Sequence, residues 1–207
     1  MAYKAVIYDC DGVMFDSFEA NLAFYQRIMA MMGRELLDRT DDEQMRILHT
    51  YANREVLAHF FPERDQWEEA VRCAGVIDYR DLVPLMVLED GFRETLDQLR
   101  GRVGLAVCTN RSTSMETVLE CYALGSYFSC VMTACRVQNP KPHPEPLHRV
   151  LDHFGIAPGE ALFVGDSEVD RRAAEAAGVP FVAYKADLSA FANIQRHEEI
   201  LRFVQPL

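Results

Sequence analysis

The chain opens on a short apolar run and from Glu89 onward alternates such runs with stretches of helical period, an order that leaves few folds open. The runs at 4–9, 103–108, 130–133, 160–165 and 180–183 are nearly continuous in apolar residues, as strands covered on both faces are. Stretches at 91–100, 113–124, 145–154, 168–177 and 193–204 carry apolar residues at helical spacing. Strand and helix taken in turn predict an α/β fold built on a doubly wound parallel sheet.

Residues 17–84 break that rhythm and read as all-helical. SFEANLAFYQRIMAMMG ends at Gly33, TDDEQMRILHTYA opens on acidic residues after Thr40, and ERDQWEEAVRCAG ends at Gly75. The alternation resumes at LEDGFRETLDQL. This order predicts a core made of 1–16 and 85–207, with 17–84 inserted after the first strand as a small all-α cap that sits over the sheet as a lid. On its first helix the stripe Phe24, Ile28, Met31 and Met32 is expected to pack inside the cap or against the core.

YDCDGVMFDS (8–17) places Asp9 and Asp11 directly after Ala5-Val6-Ile7-Tyr8, where burial makes charge costly. Like charges that close raise each other's pKa unless a cation or a shared proton relieves them. In an open parallel sheet, ligands bind at the carboxyl ends of strands, near the point where strand order reverses. If the first strand is central and those at 103–108 and 160–165 flank it, three sites converge. These are Asp9 with Asp11, Thr109 with Asn110, and Asp166 with Asp170.

A chain of 207 residues can bury a full core, and 49% hydrophobic with 26% charged residues is ordinary for a soluble protein. Its formal charge of −11 argues against general nucleic-acid binding and against adhesion to an anionic membrane. No apolar stretch approaches the roughly 18 residues of a membrane span, and the opening MAYKAVIYDCDG lacks the features of a secretory signal. We therefore expect a cytoplasmic protein. An anionic substrate needs local positive charge, and Lys4, Lys141 and Lys185 are the only lysines among 21 basic residues. The six cysteines are scattered without zinc-like spacing and are expected to be reduced; Cys10, between the two aspartates, is the one whose position suggests redox sensitivity.

DCDGVMFDS, VCTNRS, PKPHPEPL and FVGDSEVD, in that order and at these separations, resemble the four motifs of haloacid dehalogenase-like (HAD) phosphatases. The insert at 17–84 is similar to the small helical cap of phosphoglycolate phosphatase-like and β-phosphoglucomutase-like members. The resemblance implies a Mg²⁺-dependent phosphatase that hydrolyses a small phosphorylated metabolite through an aspartyl-phosphate and works as a monomer or homodimer. One departure is Val13, where threonine is frequent in that family.

On this resemblance Asp9 is the nucleophile and Asp11 the general acid and base. Thr109 gives a hydroxyl to a phosphate oxygen, and Asn110 joins it in the phosphate site. Lys141, held between Pro140 and Pro142, supplies fixed positive charge. Mg²⁺ is held by Asp9, by the backbone carbonyl of Asp11, by Asp166, and by Asp170 either directly or through water. His143 is expected to be a loop or helix-cap residue, and Asp16 or Ser17 to cap the first cap helix. HTYANREVL (49–57) matches the cap loop that approaches substrate in relatives, with Tyr51, Asn53 and Arg54 as polar candidates. Arg54 is the residue there able to pair with a second anionic group on the substrate.

Two further readings stay open at this stage. An intramolecular sugar-phosphate mutase would keep every core residue, and a phosphoacceptor module would keep Asp9 without turnover. A phosphonatase-like Schiff base needs a cap lysine, which 17–84 lacks, and haloacid dehalogenases dispense with the second acid that Asp11 provides.

Overall fold

A computed structural model describes residues 3–204, so 1, 2 and 205–207 at the ends of the expected core segments lie outside the described residues. In chain order the elements are β1 (Ala5–Tyr8), β2 (Phe15–Asp16), α1 (Phe18–Met31), α2 (Asp42–Thr50), α3 (Asn53–Phe60) and α4 (Arg64–Val76). Then follow β3 (Val87–Leu88), α5 (Phe92–Leu99), β4 (Gly104–Thr109), α6 (Ser114–Cys121), β5 (Cys130–Thr133) and α7 (Glu145–Phe154). The chain ends with β6 (Ala161–Gly165), α8 (Glu168–Ala177), β7 (Phe181–Tyr184), β8 (Ala192–Ile194) and a 3₁₀ segment at His197–Phe203.

Six strands form one parallel sheet in the order β5-β4-β1-β6-β7-β8, with β1 between β4 and β6 as the reversal rule requires. Alternation along each central strand sorts side chains between two layers. Val6 and Tyr8 of β1, Leu105 and Val107 of β4, and Leu162 and Val164 of β6 enter one cluster with Phe92, Leu96, Met115 and Val118 of α5 and α6. Ala5, Ile7, Ala106, Cys108, Ala161 and Phe163 face the other way, onto Leu147 and Val150 of α7 and Ala173, Ala174 and Ala177 of α8. Because both faces are covered, β1 is buried at every position, which explains its unbroken apolar sequence.

The inserted helices have their own core, in which Leu22, Tyr25, Ile28 and Met29 of α1 meet Met45 and Leu48 of α2, Val56 and Leu57 of α3, and Ala70 and Cys73 of α4. This phases α1 differently from the stripe read in the sequence: Ile28 is buried, Phe24 and Met32 are partly buried, and Met31 is exposed. The antiparallel pair β2–β3 closes the base of the insert, where the chain leaves the core and returns to it.

Two expectations of secondary structure are corrected. HTYANREVL is not a loop: α2 runs to Thr50 and α3 starts at Asn53, leaving Tyr51-Ala52 as the joint. The start of α3 is hidden in the sequence because its cap position is Ala52; Glu55 instead reaches back and accepts a hydrogen bond from the Ala52 N–H at 3.2 Å. The expected helix at 193–204 is an edge strand followed by a 3₁₀ turn. Pairing of Ala192, Asn193 and Ile194 with Val182, Ala183 and Tyr184 outweighs the helical period there, and Ile194, His197, Ile200 and Val204 are buried by the result.

Candidate active site

The three strand ends deliver their residues side by side. Asp9 follows β1 and donates its N–H to Val164 O at 2.9 Å, Thr109 ends β4, and Asp166 follows β6. Carboxylate oxygens of Asp9, Asp166 and Asp170 lie within 4.8 Å of one another. Gly12 gives Asp166 room: at a left-handed φ of +72° it carries no Cβ, and one would stand 2.0 Å from Asp166 Oδ2.

Lys141 is nearly inaccessible, and its ammonium lies 2.8 Å from Asp9 Oδ1 and 2.6 Å from Asp170 Oδ1. The first contact is an ion pair without hydrogen-bond geometry, since Asp9 Oδ1 is buried with no hydrogen-bond partner. Burial would lower the lysine, but Asp170 and Asp9 outweigh it and hold the group protonated. Asp170 is also the third residue of α8. Its Oδ2 accepts from Ser167 Oγ at 2.6 Å and Ser167 N at 3.2 Å, while Ser167 Oγ accepts from Asp170 N. One aspartate thus completes a capping box with one oxygen and meets the lysine with the other.

Asn110, expected in the phosphate site, lines a cleft beside Thr109, and its side-chain amide is engaged by the Lys141 main chain. Its Oδ1 accepts from Lys141 N at 3.0 Å and its Nδ2 donates to Lys141 O at 2.9 Å. Asn110 therefore positions Lys141. Thr109 Oγ1 accepts from Arg111 N at 3.1 Å, which leaves its own hydrogen to donate. His143, in the loop before α7, accepts at Nδ1 from the N–H of Glu145, the first residue of that helix. Asp16 Oδ1 accepts from Phe18 N at the start of α1, whereas Ser17 Oγ donates to Asp11.

Asp11 lies outside the cluster of the other three carboxylates and is held by donors. Arg111 contacts both oxygens, through Nε to Oδ2 at 2.8 Å and Nη2 to Oδ1 at 2.5 Å, while Ser17 Oγ and Asn21 Nδ2 also donate to Oδ1. Burial would raise Asp11, yet Arg111, Ser17 and Asn21 together lower it. Burial raises Asp9 and Asp166, with neighbouring carboxylates adding to it and Lys141 opposing. Sequence reasoning passed over Arg111, Asn21 and His49. The available signal was an arginine two residues beyond Thr109 in a chain with excess acid.

The donor set fits a hard divalent cation. Four carboxylates face two cations, Lys141 and Arg111, which leaves two formal negative charges. Oxygens around Mg²⁺ at about 2.1 Å stand roughly 3 to 4 Å apart, and the carboxylate oxygens of Asp9, Asp166 and Asp170 all fall within 4.8 Å of one another. Asp9 Oδ1 is buried without a hydrogen-bond partner, and its ion-pair partner is the Lys141 ammonium.

The haloacid dehalogenase-like hydrolase profile matches residues 6–184. The chain belongs to that family. This haloacid dehalogenase-like hydrolase is 71% identical to a HAD-superfamily hydrolase of subfamily IA, variant 1, from Geobacter sulfurreducens PCA, with a TM-score of 0.88 over 98% of this chain and 100% of that one. Phosphoglycolate phosphatase of Escherichia coli (strain K12) is 45% identical over 91 residues, 43% of this chain and 36% of the length of that enzyme. A crystal structure from Lactobacillus plantarum, 22% identical, shares the fold with a TM-score of 0.85 over 98% of this chain and 100% of that one.

In this hydrolase a cleft of about 750 Å³ is lined by Asp9, Asp11, Thr109 and Lys141 and by Asn21 of α1, His49 of α2 and Arg54 of α3. Arg54 is exposed at its rim, with its guanidinium 5.6 Å over the Trp67 ring. His49 accepts from Asn21 Nδ2 through Nδ1 and stacks on Phe18. Cys10 is fully buried, and burial raises its thiol well above the ordinary value, so its suggested redox sensitivity has no exposed thiolate to act through. All six cysteines are free, and no described helix is long and apolar enough to cross a membrane.

Proposed function

We propose that the chain is a Mg²⁺-dependent phosphatase acting on a small phosphorylated metabolite. The observation that carries this reading is Asp9, whose Oδ1 is buried, free of hydrogen bonds and 2.8 Å from the Lys141 ammonium at the end of β1. The name phosphoglycolate phosphatase, borne by relatives that match part of the chain, supports the same chemistry.

Asp9 attacks phosphorus, forming one P–O bond while the ester P–O bond breaks. Asp11 gives a proton to the leaving oxygen, then takes one from the water that hydrolyses the aspartyl-phosphate. Lys141 holds positive charge against the non-bridging oxygens, and the Thr109 hydroxyl donates to one of them. Magnesium at Asp9, Asp166 and Asp170, with the Asp11 carbonyl, would neutralise the phosphate and align it with Asp9. Asn110 keeps Lys141 in place throughout.

A panel of phosphorylated metabolites, incubated with the chain and Mg²⁺ and scored for free phosphate and for isomers, tests the reading. Phosphate release that requires the metal is expected. Isomer without free phosphate would replace hydrolysis with mutase chemistry, and a phosphoenzyme stable for many minutes would replace it with phosphoacceptor signalling.

A further inference from the structure

We propose that His197 is a positioning residue for the reaction: its side chain holds the turn that follows β1 and so fixes where Asp11 stands relative to Asp9. The inference rests on the phosphatase reading and adds to it a residue that does not line the cleft.

The turn fixes its own shape but not its place. Cys10 O accepts from Met14 N at 2.9 Å and from Phe15 N at 3.1 Å, and Gly12 N donates to Phe15 O at 2.8 Å. All three bonds lie within the turn. Two of its carbonyls instead accept from elsewhere in the chain. His197 Nε2 stands 2.9 Å from Val13 O, and Glu89 N donates to Met14 O at 3.0 Å.

One aromatic ring ties these two anchors together. Tyr184, at the end of β7, stacks on the His197 ring with centroids 4.2 Å apart. Its hydroxyl donates to Glu89 Oε2 at 2.8 Å, and Lys185 Nζ meets the same oxygen at 2.5 Å. Phe92 and Tyr8 complete the box around the imidazole, with centroids 4.7 and 6.1 Å from it. The β7 side of the sheet thereby clamps a turn that leaves the central strand β1.

Packing alone does not account for a histidine in this box. A carbonyl only accepts, so Nε2 carries the ring proton. Burial lowers the imidazole from 6.5 to about 4 and keeps it neutral, which leaves Nδ1 without a proton. That nitrogen is buried with no hydrogen-bond partner, and the Tyr8 hydroxyl, buried and unpartnered as well, does not reach it. A buried polar atom left unpaired is destabilising, and a phenyl ring would fill the same space without one. What a phenyl ring lacks is the donor to Val13 O.

If that bond is lost, the turn shifts and carries Asp11 with it. Thr109 and Lys141 stand on other segments, so the proposed phosphate contacts stay in place and the loss falls on kcat.

The test uses the full chain with Mg²⁺ and an aryl phosphate. His197→Phe keeps a ring and loses the donor, whereas His197→Gln loses the ring and keeps an amide N–H near the place of Nε2. His197→Phe is expected to lower kcat about tenfold with KM changed less than about threefold, and His197→Gln to recover most of that loss. A ring needed only for packing would give the opposite order. A kcat of His197→Phe within about threefold of the unaltered chain, a loss carried by KM, or a kcat of His197→Gln no higher than that of His197→Phe would overturn the positioning role and leave hydrolysis standing. A second measurement needs no variant. Nitrogen NMR of the histidine rings in the unaltered chain at neutral pH is expected to show His197 protonated at Nε2 alone; a proton on Nδ1 would overturn the role even if neither variant folds. No phosphate release by the unaltered chain, from an aryl phosphate or from a panel of phosphorylated metabolites, would overturn both the role and the phosphatase reading.

Discussion

Asn110 and Lys141 exchange two hydrogen bonds, amide to main chain in both directions, across 31 residues of sequence. The strand end at β4 thereby fixes the backbone of the loop that carries the buried lysine. Asn110→Ala should lower kcat by about 10- to 100-fold, since small displacements of a charged group from the reacting phosphate are costly. Stability should fall by about 1 to 3 kcal/mol for the two lost bonds. Steady-state kinetics and denaturant titration check this; undiminished kcat would remove Asn110 from the positioning role.

Asp9→Asn should abolish Mg²⁺-dependent phosphate release from an aryl phosphate and leave the fold intact. Burial raises Asp9, so the native state binds its proton more tightly than the unfolded chain does, and ionisation above that pKa costs stability. The neutral amide avoids the cost. In metal-free buffer at pH 8 the variant should melt no lower than the parent, and a clearly lower Tm would contradict the sign.

Gly12→Ala introduces two problems at one position. The residue sits at φ +72°, which costs about 1 kcal/mol for a side chain, and the new methyl would meet Asp166 Oδ2 at 2.0 Å. Asp166 must move away from Asp9 and Asp170. The rise in Tm on adding Mg²⁺, expected for the parent, should shrink or vanish in the variant. An unchanged rise would show that Asp166 is not needed for the ion.

His197 is buried against Tyr8, Phe92 and Tyr184, with Nε2 2.9 Å from Val13 O, and burial lowers it from 6.5 to about 4. Between those values the unfolded chain binds a proton that the native chain does not. Its contribution is complete above pH 6.5 and is lost as pH falls toward 4. The full loss is about 3 kcal/mol. Unfolding free energies of the parent and of His197→Phe, measured from pH 7 to pH 4.5, should show a shallower slope in the variant. Parallel slopes would place the titration elsewhere.

Much of the core was legible in the sequence because its rules are local. β1 and β6 had to be apolar throughout, since both faces are covered, and the helices α7 and α8 announce themselves by Pro144 and Ser167 at their starts and by Gly155 and Gly178 just past their ends. The same locality put Asp9, Thr109 and Asp166 at strand ends, one step from the point where strand order reverses. The segment at 193–204 shows where it stops. Its apolar spacing suits a helix, but a free strand edge on β7 offered Ala192, Asn193 and Ile194 a ladder that no local pattern reveals.

By itself, then, the sequence determined the alternation of strands and helices that builds the parallel sheet, and it marked the residues proposed to handle phosphate. Only the tertiary structure decided which partner each of them takes. It gave the Asn110 amide to Lys141, gave both oxygens of Asp11 to a cluster led by Arg111, and divided Asp170 between a helix start and an ammonium. The reason is physical. Residue type and periodicity limit what a side chain can bond, but in a buried site every donor and acceptor competes for the few partners that folding brings within about 3 Å.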